Sequence, residues 1–145
     1  MSPSATTTEL ADRLHSAAIH LLRLVAREDS ESGLGGPALS ALSVIVFAGP
    51  ITLGRLAEAE RVRPPTMTRT VQGLEAAGLV RRQADPSDRR AVLLSATAKG
   101  SRTLHAARRR RVERLAGVLA DLPARDVRRL EAAVAVLEPA VGGRR

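Results

Sequence analysis

From Thr8 to Arg27 the apolar positions Leu10, Leu14, Ala17, Leu21, Leu24 and Val25 recur every three or four residues. That spacing predicts one face of a helix. At about 100° per residue a second set, Ala11, His15, Ile19, Leu22 and Ala26, lies beside the first. Asp12, Arg13, Ser16, His20, Arg23 and Arg27 fill the narrow sector that remains. A helix apolar over more than half its circumference has two things to pack against. One is its own domain; the pattern predicts that the other is a second subunit. A central helix inside a monomer would need more surrounding chain than 145 residues supply.

After a polar, Gly-rich break over residues 28–36, Pro37 opens a short helix, Ala38 to Phe47, which stops at Ala48-Gly49-Pro50. Thr52 is a good N-cap for a third helix carrying Leu53, Leu56 and Ala57. Pro64-Pro65 fits the first turn of a fourth, running to about Ala77 with Gly78 ending it. The tight turn from Glu60 to Arg63 between them makes a helix-turn-helix candidate. Leu79–Gln83 and Ala91–Ser95 read as two strands of a hairpin with a long charged tip. Thr97 caps a long helix to about Ala120, and Pro123 starts a last one with Val127, Leu130, Val134 and Leu137 on one face. Only the first few residues and the Gly142–Arg145 tail are expected to be disordered. The prediction is six helices and one small hairpin.

Composition narrows the function. With 44% apolar residues the chain supports one domain with a modest core. Charges interrupt every apolar stretch before the roughly 18–20 residues of a membrane span. Glu9, Asp12 and Arg13 fall where a signal peptide needs its apolar segment. The absence of cysteine excludes disulfides, thiolate metal sites and thiol redox sensing. A soluble, cytoplasmic protein is expected. Phe47 is the one aromatic residue, which closes off base stacking on aromatic platforms. The formal charge is +8, distributed as −2 over residues 1–49, +4 over 50–100 and +6 over 101–145. A basic back half behind an acidic front argues for a polyanion on one part of the molecule.

The fourth helix carries the candidate chemistry. Met67, Val71 and Leu74 fall in one arc and face inward; Pro65, Arg69, Gln72 and Ala76 lie opposite, with Thr66 and Thr68 on the shoulders. An ordinary solvated face would be richer in Glu and Lys. Arginine pairs with guanine O6/N7, glutamine with adenine N6/N7, and threonine with base edges or phosphate. In the hairpin loop, Arg89 and Arg90 project from a tip stiffened by Asp85-Pro86, with Asp88 close enough to hold a guanidinium. Such an arginine suits a narrow, electronegative minor groove; the bland reading is a solvated turn with a weak ion pair.

These residues together resemble the MarR-type winged helix-turn-helix regulators, over almost the whole chain. The core of the likeness is residues 53–100, LGRLAEAERVRPPTMTRTVQGLEAAGLVRRQADPSDRRAVLLSATAKG. Asp88 and Arg90 meet the family's Asp-x-Arg wing pattern, PPTMTR its recognition-helix start, and TAKG its Thr-x-x-Gly opening of the long helix. Arg63 departs from the usual Ser/Thr cap and Ala96 from a usual leucine; Arg63 forgoes a cap worth about 1 kcal/mol and adds a cation beside the DNA. The resemblance implies a mainly α fold with a β-hairpin wing. Residues 1–35 would form the N-terminal dimerisation helix and linker, 36–100 the DNA-binding domain, and 101–145 the C-terminal dimerisation helices and tail. It further implies an obligate homodimer that represses by binding a pseudo-palindromic DNA operator. One short recognition helix contacts too few bases for genomic selectivity, whereas a two-fold dimer reads half-sites about one helical turn apart. A non-specific architectural or RNA-binding protein would use the same charge, and lacks only the preference for one operator.

Relatives of this type usually release DNA when a small anionic or phenolic ligand binds between the dimer helices and the winged domain. In the run Arg108–Arg111, helical angles put Arg108 and Arg111 on the stripe of Leu104, Leu115 and Leu119, with Arg109, Arg110 and Arg114 away from it. A partly buried arginine needs an anion: the bland reading is a structural carboxylate or stem-packing against the partner subunit, and the functional one is the carboxylate of an effector held by Arg108 or Arg111. His15, His20 and His105 show no paired i, i+4 spacing, so no metal and no cofactor is expected. No cysteine exists and no histidine sits in a catalytic motif, so no enzyme is expected.

Overall fold

The computed structural model describes residues 4–27, 33–88 and 91–141. The chain divides into two units, Met1–Arg111 and Val112–Arg145. The first holds α1 (Ala5–Ala26), α2 (Gly36–Ala48), β1 (Ile51–Thr52), α3 (Leu53–Ala59), α4 (Pro64–Ala76), β2 (Val80–Ala84), β3 (Val92–Ala96) and the first part of α5 (Ala98–Ala120). The second holds the rest of α5 and α6 (Ala124–Val141).

Helix ends follow local chemistry. Ser4 caps α1, accepting from the Thr7 amide at 3.2 Å, so this helix begins three residues earlier than the apolar pattern predicts. Pro37 lies in the first turn of α2, where its missing N–H costs nothing. Thr52 caps α3 by accepting from the Arg55 amide. Residue 63, an arginine, stands at the N-cap of α4 with no side-chain cap bond. Both α3 and α4 end in paired 6→1 and 5→2 hydrogen bonds. At the end of α4, Leu79 N–H donates to Leu74 O and Gly78 N–H to Glu75 O, with Gly78 at φ +71. At the end of α3, Val62 N–H donates to Ala57 O and Arg61 N–H to Glu58 O.

The sheet has three antiparallel strands in the order β1-β3-β2, with Ile51 opposite Leu94 and Val80 opposite Ala96. The hairpin strands sit one residue later than predicted, and β1 was not predicted. Two residues are too few to carry an alternation. The core lies among α2, α3, α4 and this sheet: Leu42, Ile45, Leu56, Val71, Leu74 and Leu94 are fully buried. Burying each such side chain contributes about 1.5–3 kcal/mol.

The start of α5 is clamped to the end of α4. The Thr97 hydroxyl donates to Gly78 O at 2.7 Å, the Thr97 amide to Leu79 O at 2.9 Å, and Lys99 Nζ to Ala77 O at 2.7 Å. Thr97 also caps α5 by accepting from the Gly100 amide. The TAKG run thus ties the start of α5 to the turn at which α4 stops.

Outside this core the apolar surface is open. Val25 is the one buried residue of α1, while Leu10, Leu14, Leu21 and Leu22 are exposed. In the second unit no residue of α6 is buried, and Val127, Leu130, Val134 and Val136 face outward. Among the described residues no helix is long and apolar enough to cross a membrane.

Candidate nucleic-acid interface

Helix α4 splits into two faces. Met67, Val71 and Leu74 are buried against the core. Arg63, Pro65, Thr66, Arg69, Gln72 and Ala76 are exposed. Thr68, predicted on an open shoulder, is half-buried and its hydroxyl donates to Pro64 O at 2.9 Å. Inside a helix a threonine hydroxyl finds the carbonyl four residues back, so this proton is committed and only acceptor capacity is left. Among the described residues Arg63 and Arg69 have no ion-pair partner.

A link between helix and wing was missed at the level of sequence. Arg82 Nε on β2 donates to Glu75 Oε1 on α4 at 2.9 Å. Opposite charges seven residues apart, flanking the Gly78 turn, are the signal that would have found it. Such an exposed pair adds at most about 1 kcal/mol; its role is geometric, holding β2 and α4 in one orientation. Arg81, its neighbour, is exposed.

Asp85 organises the turn that leaves β2. Its Oδ1 accepts from the Ser87 amide at 2.8 Å and from the Ser87 hydroxyl at 2.6 Å. This is an Asx turn, and the hydroxyl, then the amide, hold the carboxyl below its ordinary range. Two backbone bonds, Asp85 N–H to Ala91 O and Ala91 N–H to Asp88 O, close the loop. At Asp85-Pro86 the Asp85 side chain thus adds two hydrogen bonds to Ser87. Asp88 is exposed; Arg89 and Arg90 lie outside the described residues.

Far along the chain, α2 and α5 enclose a cleft of about 370 Å³, lined among others by Ser40, Ser43, Phe47, Leu104, Arg108 and Arg111. Phe47, largely exposed, meets the His105 ring edge-on with centroids 6.1 Å apart. Both predicted arginines line the cleft, but the predicted burial is corrected: Arg108 is exposed, whereas Arg110, expected off the stripe, is half-buried like Arg111. The buried stripe runs through Gly100, Leu104 and Ala107 rather than toward Leu115 and Leu119. A stripe centred on Ala107 continues at residues 110 and 111 and leaves 108 on its edge.

Three comparisons bear on this arrangement. The model of the MarR family matches residues 37–92. An HTH-type transcriptional regulator of Mycobacterium tuberculosis is 42% identical over 113 residues, spanning 78% of this chain and 79% of that one. Among solved structures, RV1404 from Mycobacterium tuberculosis superposes with a TM-score of 0.85 at 23% identity, covering 99% of both chains. A MarR family protein from Bacillus stearothermophilus gives 0.82 at 23% identity over 99% of this chain and 100% of that one. A MepR mutant from S. aureus, bound to an oligodeoxyribonucleotide, gives 0.70 at 15% identity over 91% and 97%.

Proposed function

The chain belongs to the MarR family of helix-turn-helix transcriptional regulators, and from that premise we propose a homodimeric repressor. It reads a pseudo-palindromic operator in double-stranded DNA and lets go when a small anionic or aromatic ligand binds. The observation that carries this reading is the division of α4 into a buried Met67/Val71/Leu74 face and an exposed, unpaired Arg69 and Gln72. Arg69 and Gln72 read base edges in the major groove; Arg63, Pro65 and Thr66 meet the backbone and flanking edges, and Thr68 contributes as an acceptor. The wing, with Asp88 orienting Arg89 and Arg90, follows the minor groove. The MepR mutant that shares this fold is bound to an oligodeoxyribonucleotide, which supports DNA as the partner.

Residues 36–100 form the DNA-binding part, and residues 1–35 and 101–145 supply the dimer helices. The open apolar residues of α1 and, separately, of α6 support a second copy as their cover. The cleft between α2 and α5 is the effector site, with Arg108 or Arg111 holding a carboxylate and Phe47 and Leu104 its apolar body.

The test is selection of a duplex from a random pool, followed by competition at fixed salt. A regulator prefers its selected duplex over random sequence by on the order of 10³ or more. A preference near unity would leave only a non-specific architectural role.

A further inference from the structure

Between α3 and α4 stands the only described residue other than glycine with a left-handed backbone. Arg61 has φ +54, and it occupies the C′ position of the α3 capping motif, where glycine is the favoured residue. In that conformation a Cβ crowds the following carbonyl. The surrounding bonds enforce it: Arg61 N–H to Glu58 O and Val62 N–H to Ala57 O both depend on the left-handed turn. The neighbouring Gly78 holds the same position at the end of α4 without that strain. A strained residue kept at a working site is a reason to look for what its side chain does.

Local structure gives the side chain no task. Arg61 is exposed. Among the described residues its guanidinium has no ion-pair partner, although Glu58 and Glu60 stand within three residues of it. The Glu60 carboxylate is taken by the Ser40 hydroxyl at 3.0 Å. Position 61 precedes the N-cap of α4 by two residues, a backbone span of at most about 7 Å. Under the DNA-binding reading, a groove that admits the N-terminus of α4 brings its flanking strand beside this turn. The planar fork of an arginine matches two phosphate oxygens.

We propose that Arg61 is a phosphate contact: its guanidinium anchors the α3–α4 turn to the DNA backbone, and the unfavourable backbone at that position is retained for it. This rests on the DNA-binding reading above. It adds a sequence-independent anchor outside the base-reading face and outside the wing.

The experiment measures binding to a fluorescein-labelled random-sequence duplex of about 30 base pairs, long enough for two half-sites, across a salt series. The full-length chain is compared with Arg61→Gly, Arg61→Gln and Arg61→Lys. Arg61→Gly removes strain and charge together, so its melting temperature rises by about 3 °C while its binding weakens. Arg61→Gln keeps the strain and loses the charge: melting is unchanged, and the slope of log K against log salt shrinks by about one per subunit. Arg61→Lys retains that slope. Arg61→Gly and Arg61→Gln with wild-type affinity and salt slope would overturn the proposal, since the arginine would then be merely tolerated. If the unsubstituted chain itself fails to bind the duplex, the DNA-binding reading falls first, and the two failures are told apart by that control.

Discussion

A methyl group added at residue 100 should break the junction between α4 and the long helix α5. An ideal Cβ on Gly100 would lie 2.1 Å from Leu79 O, 3.0 Å from Leu79 C and 3.3 Å from Leu79 Cα. The obstacle is backbone, so no rotamer change relieves it, and the two segments must separate. The same carbonyl accepts the Thr97 amide at 2.9 Å, and Thr97 Oγ1 lies 3.2 Å away. Separation by about an ångström costs roughly 1–3 kcal/mol in strain and loosens bonds worth about 1 kcal/mol each. Against this, alanine is favoured over glycine in a helix by about 1 kcal/mol. The net expectation for Gly100→Ala is a loss of about 3 kcal/mol, which moves a urea midpoint down by roughly 1–2 M. Gly73 on α4 has no neighbour within 4 Å of its would-be Cβ, so Gly73→Ala should be stabilising by up to about 1 kcal/mol. The assay is equilibrium urea denaturation of both variants at one protomer concentration, since dimerisation couples stability to concentration. A Gly100→Ala midpoint at or above wild type would refute the claim that close approach fixes this junction.

Three further outcomes are expected. Arg69→Ala and Gln72→Ala should each lower affinity for a selected duplex by about 1–3 kcal/mol and relax preference at a particular base pair, whereas Arg90→Ala should weaken all duplexes evenly and flatten the salt dependence; normal binding by Arg90→Ala would remove it from the wing contact. Asp85, whose folded carboxyl lies below its ordinary 3.8, stabilises the wing at higher pH, and that contribution disappears as pH falls through the folded value. Melting of wild type and Asp85→Ala should therefore differ at neutral pH and converge in acid, and a gap that widens in acid contradicts this sign. With benzoate as a probe, Arg111→Ala should blunt ligand-induced release from DNA; an unchanged response removes Arg111 from the proposed effector contact.

Much of the fold is legible because its signals are local. Thr52, Thr97, Pro64 and Gly78 act where they stand, and the Met67/Val71/Leu74 arc declares the inner face of α4 without reference to anything distant. What could not be read depends on partners remote in sequence. β1 is a two-residue strand that exists only because Leu93 and Leu94 lie opposite it. The Lys99–Ala77 bond requires knowing how α5 returns to α4. The burial of Arg110 is not legible because a stripe drawn from Leu104 through Leu115 and Leu119 passes it by, whereas the buried one runs from Leu104 through Ala107. The strain at Arg61 is invisible in sequence, since nothing about an arginine announces a positive φ. At the candidate interface the outward residues of α4 were identified, but the commitment of the Thr68 hydroxyl to its own helix was not.

In the proposed assembly, two copies of this chain engage one duplex through paired α4 helices. Sedimentation equilibrium of the complex with a selected duplex tests it most directly. The protein mass on each duplex is expected to equal two 15.4 kDa chains, with no single-chain complex at concentrations where DNA is held tightly. One chain per duplex at undiminished affinity and selectivity would contradict it.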